Sequence, residues 1–203
     1  MRWTRKVVAT AIGLASIAQV AQAQVTVNYS TTGSFSGLCT GLSCSIGGML
    51  ISFNPLSSNS VTLDSNNGFY SFLSFGEFAV SGSRVGQQSF AGVSFALTIT
   101  QNMPLAGGPQ ILAGQFTGGI DANSSNLKWN RAPAAWSLPW GASQTIDYTS
   151  ASFTNLQAPS SNLGVTSIQG DVSTNVVPEP ASMVLVAVGL SGLLLAARHR
   201  RSA

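Results

Sequence analysis

The side chains that could catalyse a reaction are few in this 203-residue chain. The one histidine, His199, lies beside the C-terminal arginines, and the two cysteines are Cys39 and Cys44. A Ser-His-Asp or Cys-His mechanism needs a histidine next to the nucleophile, and transition-metal sites usually use histidine as well. We therefore expect neither kind of site in the middle of the chain, and no metal or other cofactor is predicted.

Carboxylates offer another route to catalysis, because a glycoside hydrolase needs two facing acids about 5–9 Å apart. The acids between residues 24 and 177 are widely spaced and form no recognisable motif. The Asp121-x-Asn123 sequence lacks the following acids and glycine of a calcium loop, so it predicts a solvated turn. A non-enzymatic protein is the main expectation. A secreted hydrolase using a pair such as Asp121 and Asp147 is an alternative.

The two cysteines are close in sequence, within a stretch rich in glycine and serine. In an exported protein such a pair forms a local disulfide more often than it binds metal, because no histidine lies nearby to complete a metal site. The sequence therefore predicts a Cys39–Cys44 disulfide, which stabilises by about 2 kcal/mol in the chain-entropy model.

One segment of the chain contains a cluster of tryptophans together with polar side chains. All three tryptophans of residues 24–177 lie between residues 129 and 140, together with Asn130 and Arg131. Exposed indoles beside amide and guanidinium groups could stack on sugar rings, which makes Trp129, Arg131, Trp136 and Trp140 candidate glycan contacts. The simpler interpretation is that the indoles cover one end of a β-sandwich, with Arg131 stacked on a ring.

The C-terminal tail has three parts in a fixed order: Pro178-Glu179-Pro180, an uncharged run at 181–197, and an arginine-rich end. As a helix the run spans roughly 26 Å, just enough for a thin hydrocarbon core. Its leucines and valines supply only about −3 to −4 kcal/mol of insertion free energy, which suits a temporary transmembrane anchor. Arg198, Arg200 and Arg201 are predicted to stop transfer and to stay in the cytoplasm.

The two prolines of the triplet restrict the backbone before the predicted helix. Both fix φ near −65° and favour extended geometry in the residues that precede them. Glu179 is costly in hydrocarbon, so we expect the triplet at the outer membrane surface, where it would be a good protease substrate. The alternative is that Pro178 and Pro180 merely cap an ordinary single-pass anchor.

This composite tail resembles the PEP-CTERM sorting signal of Gram-negative bacteria, with all three parts in order from Pro178 onward. The resemblance implies that Pro178, Glu179 and Pro180 are a recognition motif for an exosortase, an integral membrane cysteine protease or transpeptidase. It also implies a host that makes exopolysaccharide or biofilm, so exopolysaccharide is a candidate partner.

The N-terminus has the features of a secretory signal. Basic residues precede an apolar run at 7–20, and Ala21-Gln22-Ala23 forms an A-x-A site before Gln24. We expect a signal peptide at 1–23, with the secretion translocon and signal peptidase as partners and cleavage between Ala23 and Gln24. A membrane-anchoring first helix is the alternative. Positive charge at both ends keeps both ends in the cytoplasm and places the middle of the chain on the opposite side of the membrane.

The charge balance changes once the two ends are set aside. The whole chain carries a net charge of +3, but residues 24–177 hold three cations and five acids, which gives −2. The apparent basicity belongs to the targeting segments, which removes the case for nucleic-acid binding.

The middle of the chain has the pattern of many short strands separated by turns. Residues 93–100 alternate apolar and polar side chains most clearly, and Asn66-Asn67-Gly68 predicts a hairpin turn. The pattern favours an all-β, antiparallel sandwich or jelly-roll-like domain. The predicted strands are 25–29, 49–53, 61–63, 69–75, 78–80, 93–100, 111–120, 144–148, 153–156 and 165–168.

These segments give a domain organisation and a location. They are a signal peptide (1–23), an exported β-sandwich domain (24–172), a linker (173–177) and the sorting signal (178–203). We expect the domain on the periplasmic side of the inner membrane while anchored, and then in the cell envelope or outside the cell. The alternative molecular role is an extracellular glycan-binding module.

Overall fold

The computed structural model describes residues 24–139 and 144–175, together with Gly189. The chain divides after Ala23 and after Val176, and the compact unit between these points is an all-β domain. The predicted signal peptide and the predicted tail helix at 181–197, apart from Gly189, lie outside the described residues. Within the described ranges, no helix is both long and apolar enough to cross a membrane.

Two six-stranded antiparallel sheets form the domain, which confirms the all-β, antiparallel expectation. The first sheet contains, in spatial order, β13 (Phe153–Asn155), β10 (Lys128–Arg131), β8 (Gln110–Thr117), β7 (Ser94–Met103), β1 (Gln24–Ser36) and β4 (Asn59–Asp64). The second contains β11 (Ala134–Pro139), β12 (Thr145–Ser150), β14 (Val165–Thr174), β5 (Tyr70–Gly82), β3 (Met49–Asn54) and β2 (Ser43–Ile46). The short strands β6 (Gln88–Ser89) and β9 (Gly119–Ile120) pair separately.

Alternating side chains build the core between the two sheets. On β7, Phe95, Leu97 and Ile99 are buried, whereas the residues between them are only partly covered. Aromatic rings from both sheets meet in the centre at centroid distances of 4.8–6.3 Å. These rings are Phe35, Phe53, Phe78, Phe95, Phe116 and Trp129. Such pairs add stabilisation beyond the apolar area that they bury.

The hairpin predicted at Asn66-Asn67-Gly68 is wrong. β4 pairs with β1, and β5 pairs with β3 and β14, so the segment between β4 and β5 carries the chain from one sheet to the other. The Asp64 carboxylate accepts hydrogen bonds from the backbone N–H groups of Asn66 and Asn67, and residues 65–67 form a single 3₁₀ turn. Local turn chemistry is therefore satisfied without pairing the two flanking strands.

Several strand boundaries also differ from the sequence-based expectation. The predicted strands at 69–75 and 78–80 are one strand, β5, interrupted only by a register shift near Gly76, whose φ is 109°. A β-bulge of this kind accommodates one extra residue without ending the strand. β14 continues to Thr174, so the first two residues of the predicted linker at 173–177 belong to the last strand.

The predicted disulfide between Cys39 and Cys44 is present, with a Cα–Cα distance of 5.2 Å. It joins the loop after β1 to β2, and the backbone N–H of Phe35, on β1, donates to the carbonyl of Gly41 in this loop. Cys44 is buried in the core. The disulfide therefore ties the β1–β2 connection to the sandwich.

Candidate functional site

Both predicted processing points lie at the borders of the folded unit. Ala21, Ala23, the triplet at 178–180 and the arginines after residue 197 lie outside the described residues. Gln24 is the first residue of β1, and Val25 beside it is already buried. Removal of residues 1–23 would thus leave β1 complete.

The predicted glycan contact Trp129 lies in the core and not on the surface. Its side chain is fully buried on the inner face of β10, edge-on to Phe78 and Phe95 at centroid distances of 5.6 and 5.3 Å. Neither face of this indole is open to a sugar ring. The simpler interpretation of the tryptophan cluster, in which the indoles serve packing, describes this residue.

Trp136 is half-buried on β11 and lies parallel to the ring of Tyr148 at 5.1 Å, with an interplanar angle of 8°. It also contacts Phe75. One face of this indole is therefore occupied within the domain. Trp140, the fourth predicted contact, lies outside the described residues.

Arg131 is the unusual member of the cluster, because its guanidinium is buried and forms no salt bridge with a carboxylate of the described residues. Its side chain is 7% exposed, and its Cζ lies 4.4 Å from the centre of the Trp129 ring. Nη1 donates to the Thr154 hydroxyl at 2.9 Å, while Nε and Nη2 have no hydrogen-bond partner among the described residues. Burial lowers the pKa of Arg131 to about 10, so the group still carries its charge at neutral pH.

The backbone fixes Arg131 in this position. Its N–H donates to the carbonyl of Ser152 at 2.9 Å, and its strand partner on β8 is Gly114. A Cβ on Gly114 would lie 2.6 Å from Nε1 of Trp129, which is closer than such atoms approach. Glycine at this position therefore lets β10 lie close against β8, with Trp129 and Arg131 both turned inward.

A surface groove opens beside Arg131. We call it the Arg131 groove; it runs between β13 and the first half of β14. Thr154, Ser167 and Gln169 line it with uncharged polar groups, and Phe153, which is 47% exposed, lines it with an aromatic ring. The arrangement combines one cation, several hydrogen-bonding side chains and one apolar ring.

The sequence identifies Arg131 as a candidate contact, but it does not predict the other residues that line this groove. Ser167 and Gln169 alternate with the buried Ile168 and Gly170, a pattern that marks them as outward-facing residues of one strand. That pattern does not say which other strand lies beside them. Because β13 and β14 belong to different sheets, only the folded chain brings Thr154 near them.

The acids considered for a hydrolase lie on different elements. Asp121 follows β9, and its carboxylate accepts from the backbone N–H groups of Asn123 and Ser124, which lowers the pKa of Asp121. Asp147 lies on β12, in the second sheet. In the ranges that the structure describes, no three His, Cys, Asp or Glu side chains come together. The Asp121 segment forms the solvated turn that its sequence predicts.

Two buried tyrosines place their hydroxyl groups in the core. The Tyr29 hydroxyl donates to the carbonyl of Ser74 at 2.6 Å, and the Tyr148 hydroxyl donates to Oε1 of Gln101 at 2.7 Å. Burial raises the pKa of both phenols. For Tyr29, a hydrogen bond from the Asn59 side chain partly opposes this rise.

These shifts predict that the domain loses stability in strong alkali. Above the ordinary phenol pKa of 10.0, the unfolded chain releases protons that the folded Tyr29 and Tyr148 retain, so stability falls with pH. Arg131 acts in the opposite direction, because its pKa is lower in the folded state than in the unfolded state. The two tyrosines and the arginine therefore act in opposite directions, and removing one tyrosine should make the alkaline loss of stability less steep.

Urea unfolding at a series of alkaline pH values measures this slope. The Tyr148→Phe variant removes one phenol, so its stability should fall less steeply with pH than that of the parent chain. Its stability at neutral pH falls for the separate reason that Oε1 of Gln101 loses its hydrogen-bond donor. The pKa of Tyr70 is also raised, but this residue is exposed, and its effect is expected to be screened by water. Identical slopes in the parent and the variant would contradict the assignment.

The described domain belongs to the class of all-β proteins built from two antiparallel sheets, and its fold alone assigns no activity. The tail is more specific: residues 176–201 match the PEP-CTERM protein-sorting motif. The chain therefore carries a PEP-CTERM sorting signal, as its resemblance indicated. This motif implies an exported, envelope-targeted protein with an exosortase as its processing enzyme. No curated protein and no solved structure matches the chain.

Proposed function

We propose that this chain is an exported, non-enzymatic surface protein whose two ends are removable targeting signals. The signal peptide at 1–23 directs the chain to the translocon and is removed by signal peptidase. The helix at 181–197 then holds the chain in the inner membrane, with the domain on the periplasmic side. The exosortase cuts near Pro178–Pro180 and leaves the domain in the envelope or the extracellular matrix.

The observation that carries this proposal is the agreement between the folded unit and the two processing points. The compact unit begins at Gln24, directly after the A-x-A site, and ends at Val176, two residues before Pro178. The last strand ends at Thr174. Both cuts would therefore fall outside the sheets, so processing would remove the targeting segments without removing a strand.

The side chains of the domain support a non-enzymatic role. Of the two acids that would suit hydrolysis, Asp121 has its carboxylate engaged by backbone N–H groups of its own turn. Asp147 lies on the outer face of β12, where it accepts from the Thr145 hydroxyl. Residues 24–177 also contain no histidine to serve as a general base.

The intact mass of the mature protein from its native host tests the proposal. We expect an N-terminus at Gln24 and a C-terminus within or close to Pro178–Pro180, with any mass beyond these limits reporting a group added by transpeptidation. In a host strain that lacks the exosortase, the N-terminus should be unchanged and the arginine-tipped tail retained. A mature protein from the normal host that still ends at Ala203 would contradict the proposal.

A further inference from the structure

The loop between β9 and β10 presents an asparagine at the surface of the domain. Oδ1 of Asp121 accepts from the backbone N–H groups of Asn123 and Ser124 at 2.8 and 2.7 Å, and the N–H of Asp121 donates to the carbonyl of Ser124 at 2.9 Å. Asn123 and Ser124 are exposed at the tip of the turn that these bonds close. The side-chain amide of Asn123 forms no hydrogen bond with any residue that the structure describes.

The sequence at this tip matches an acceptor for a sugar chain. Asn123-Ser124-Ser125 is an Asn-x-Ser triplet without proline, the pattern of an N-glycosylation site in a surface loop of an exported protein. Asp121 extends the match, because bacterial enzymes that form this linkage also use an acid two residues before the asparagine. Residues 24–177 contain only five acids, so an acid at this spacing is uncommon by chance.

A second triplet, Asn28-Tyr29-Ser30, lacks these features and serves as an internal comparison. Asn28 lies within β1, which is paired on both sides, with β4 and β7. Its Nδ2 donates to the hydroxyls of Ser58 and Ser60 at 2.8 and 2.7 Å, and its Oδ1 accepts from Asn102 at 3.0 Å. The residue two positions earlier is Thr26, which is not an acid. The amide nitrogen of Asn28 is therefore engaged within the sheet.

We propose that Asn123 is a site of N-linked glycosylation, modified after export by an oligosaccharyltransferase. The sugar donor is an oligosaccharide carried on a lipid diphosphate. Nδ2 of Asn123 forms a bond to the anomeric carbon of the first sugar, and the bond from that carbon to the diphosphate oxygen breaks. The lipid diphosphate leaves with the electron pair, and the amide gives up one proton to a base of the enzyme.

Two neighbours of Asn123 are the groups that the transferase recognises. The Ser125 hydroxyl completes the triplet, and the Asp121 carboxylate is a partner for a cationic group of the enzyme. The hydrogen bonds that hold Asp121 in its turn are exposed to solvent. Exposed turns of this kind open locally at little cost in free energy, so the folded domain can present the carboxylate to the enzyme.

Peptide mapping by mass spectrometry of the full chain from its native host tests the proposal. Trypsin cuts after Arg84 and Lys128, so Asn28 and Asn123 fall in separate peptides, 24–84 and 85–128. We expect peptide 85–128 to carry the mass of one or more sugars, with fragmentation placing them on Asn123. Asn28 should be unmodified. A peptide 85–128 without added sugar would overturn the proposal.

The modification rests on the export proposed above, and the same digest separates the two. A chain that begins at Gln24 and is unmodified at Asn123 would contradict glycosylation and leave export standing. A chain that still begins at Met1 and is unmodified would contradict both. Sugar on Asn123 of a chain that begins at Gln24 would support both.

Variants in the exposed turn locate the acceptor without touching the core. Asn123→Gln and Ser125→Ala should abolish the modification, since each breaks the triplet. Ser125→Thr keeps the hydroxyl, and Ser124→Ala changes only the middle residue, so both should be modified like the parent chain. Sugar retained on peptide 85–128 of the Asn123→Gln chain would show attachment at another residue and would overturn the assignment.

Asp121→Asn separates recognition of the charge from presentation of the turn. The asparagine oxygen can accept the same backbone hydrogen bonds, so the turn is kept while the charge is lost. We expect the ratio of modified to unmodified peptide to fall by about tenfold, as for the loss of a charge-assisted hydrogen bond. An unchanged ratio would overturn the role given to Asp121.

Discussion

Replacement of Trp129 by alanine is expected to lower the free energy of unfolding by about 3–5 kcal/mol. The indole is fully buried, and its ring contacts two phenylalanines from different sheets as well as the guanidinium of Arg131. Alanine would leave a cavity where the sheets meet and would remove the ring that covers a buried charge. Domains of this size are commonly stable by only about 5–15 kcal/mol, so the loss would be a large share of the total.

Urea unfolding of residues 24–176, followed by circular dichroism, measures this loss. Phe72→Ala is the matched control, because Phe72 is also aromatic but is 78% exposed on β5, and its removal should change stability by less than about 0.5 kcal/mol. A Trp129→Ala domain as stable as the Phe72→Ala domain would show that this indole does not support the core.

Trp129 and Arg131 also show what could be predicted from the sequence. In β10 and β11 the inward side chains alternate as Trp129, Arg131, then Ala134, Trp136 and Leu138. This is a strand pattern, but the arginine and two prolines hide it, since a cation is normally expected at the surface. The sequence pattern therefore does not predict these two strands, although it shows the tryptophan cluster that they carry.

The sequence predicts the position of a strand with regular alternation, but it does not predict which other strand pairs with it. The run at 93–100 corresponds to β7, because every second side chain there is apolar and reaches the core. Its neighbour β1 lies far away in sequence, and no local pattern records that pairing. The wrong hairpin at 66–68 has the same cause: turn-forming residues specify a turn, but not whether the flanking strands pair or enter different sheets.

The candidate groove depends on long-range pairing in the same way. The sequence indicated that two of the three cations of residues 24–177 lie close together, at Lys128 and Arg131. It could not indicate that one would be buried with no carboxylate partner in the described part of the chain, because the acids that might have paired with it are placed only by the fold. The sorting signal in the tail could be predicted without knowledge of the fold, since its three parts are contiguous and are defined by residue type and order.

The double substitution Pro178→Ala plus Pro180→Ala is expected to abolish C-terminal processing while leaving export and N-terminal cleavage intact. Proline at these positions keeps the preceding residues extended and prevents the predicted helix from continuing toward the domain. Alanine favours helix by about 3 kcal/mol over proline at interior positions, so the triplet would be free to join the helix predicted at 181–197. A protease that reads an extended segment at the membrane surface would then lose its substrate.

Immunoblotting and intact-mass analysis of the membrane and extracellular fractions from the native host measure the outcome. The double variant should accumulate in the membrane with Gln24 at its N-terminus and the terminal arginines still attached. Pro133→Ala plus Pro139→Ala is the matched control, because it removes two exposed prolines from the domain and leaves the tail unaltered. Normal processing of the tail variant would show that the two prolines are not recognised, and retention of the control variant would show that the domain itself governs release.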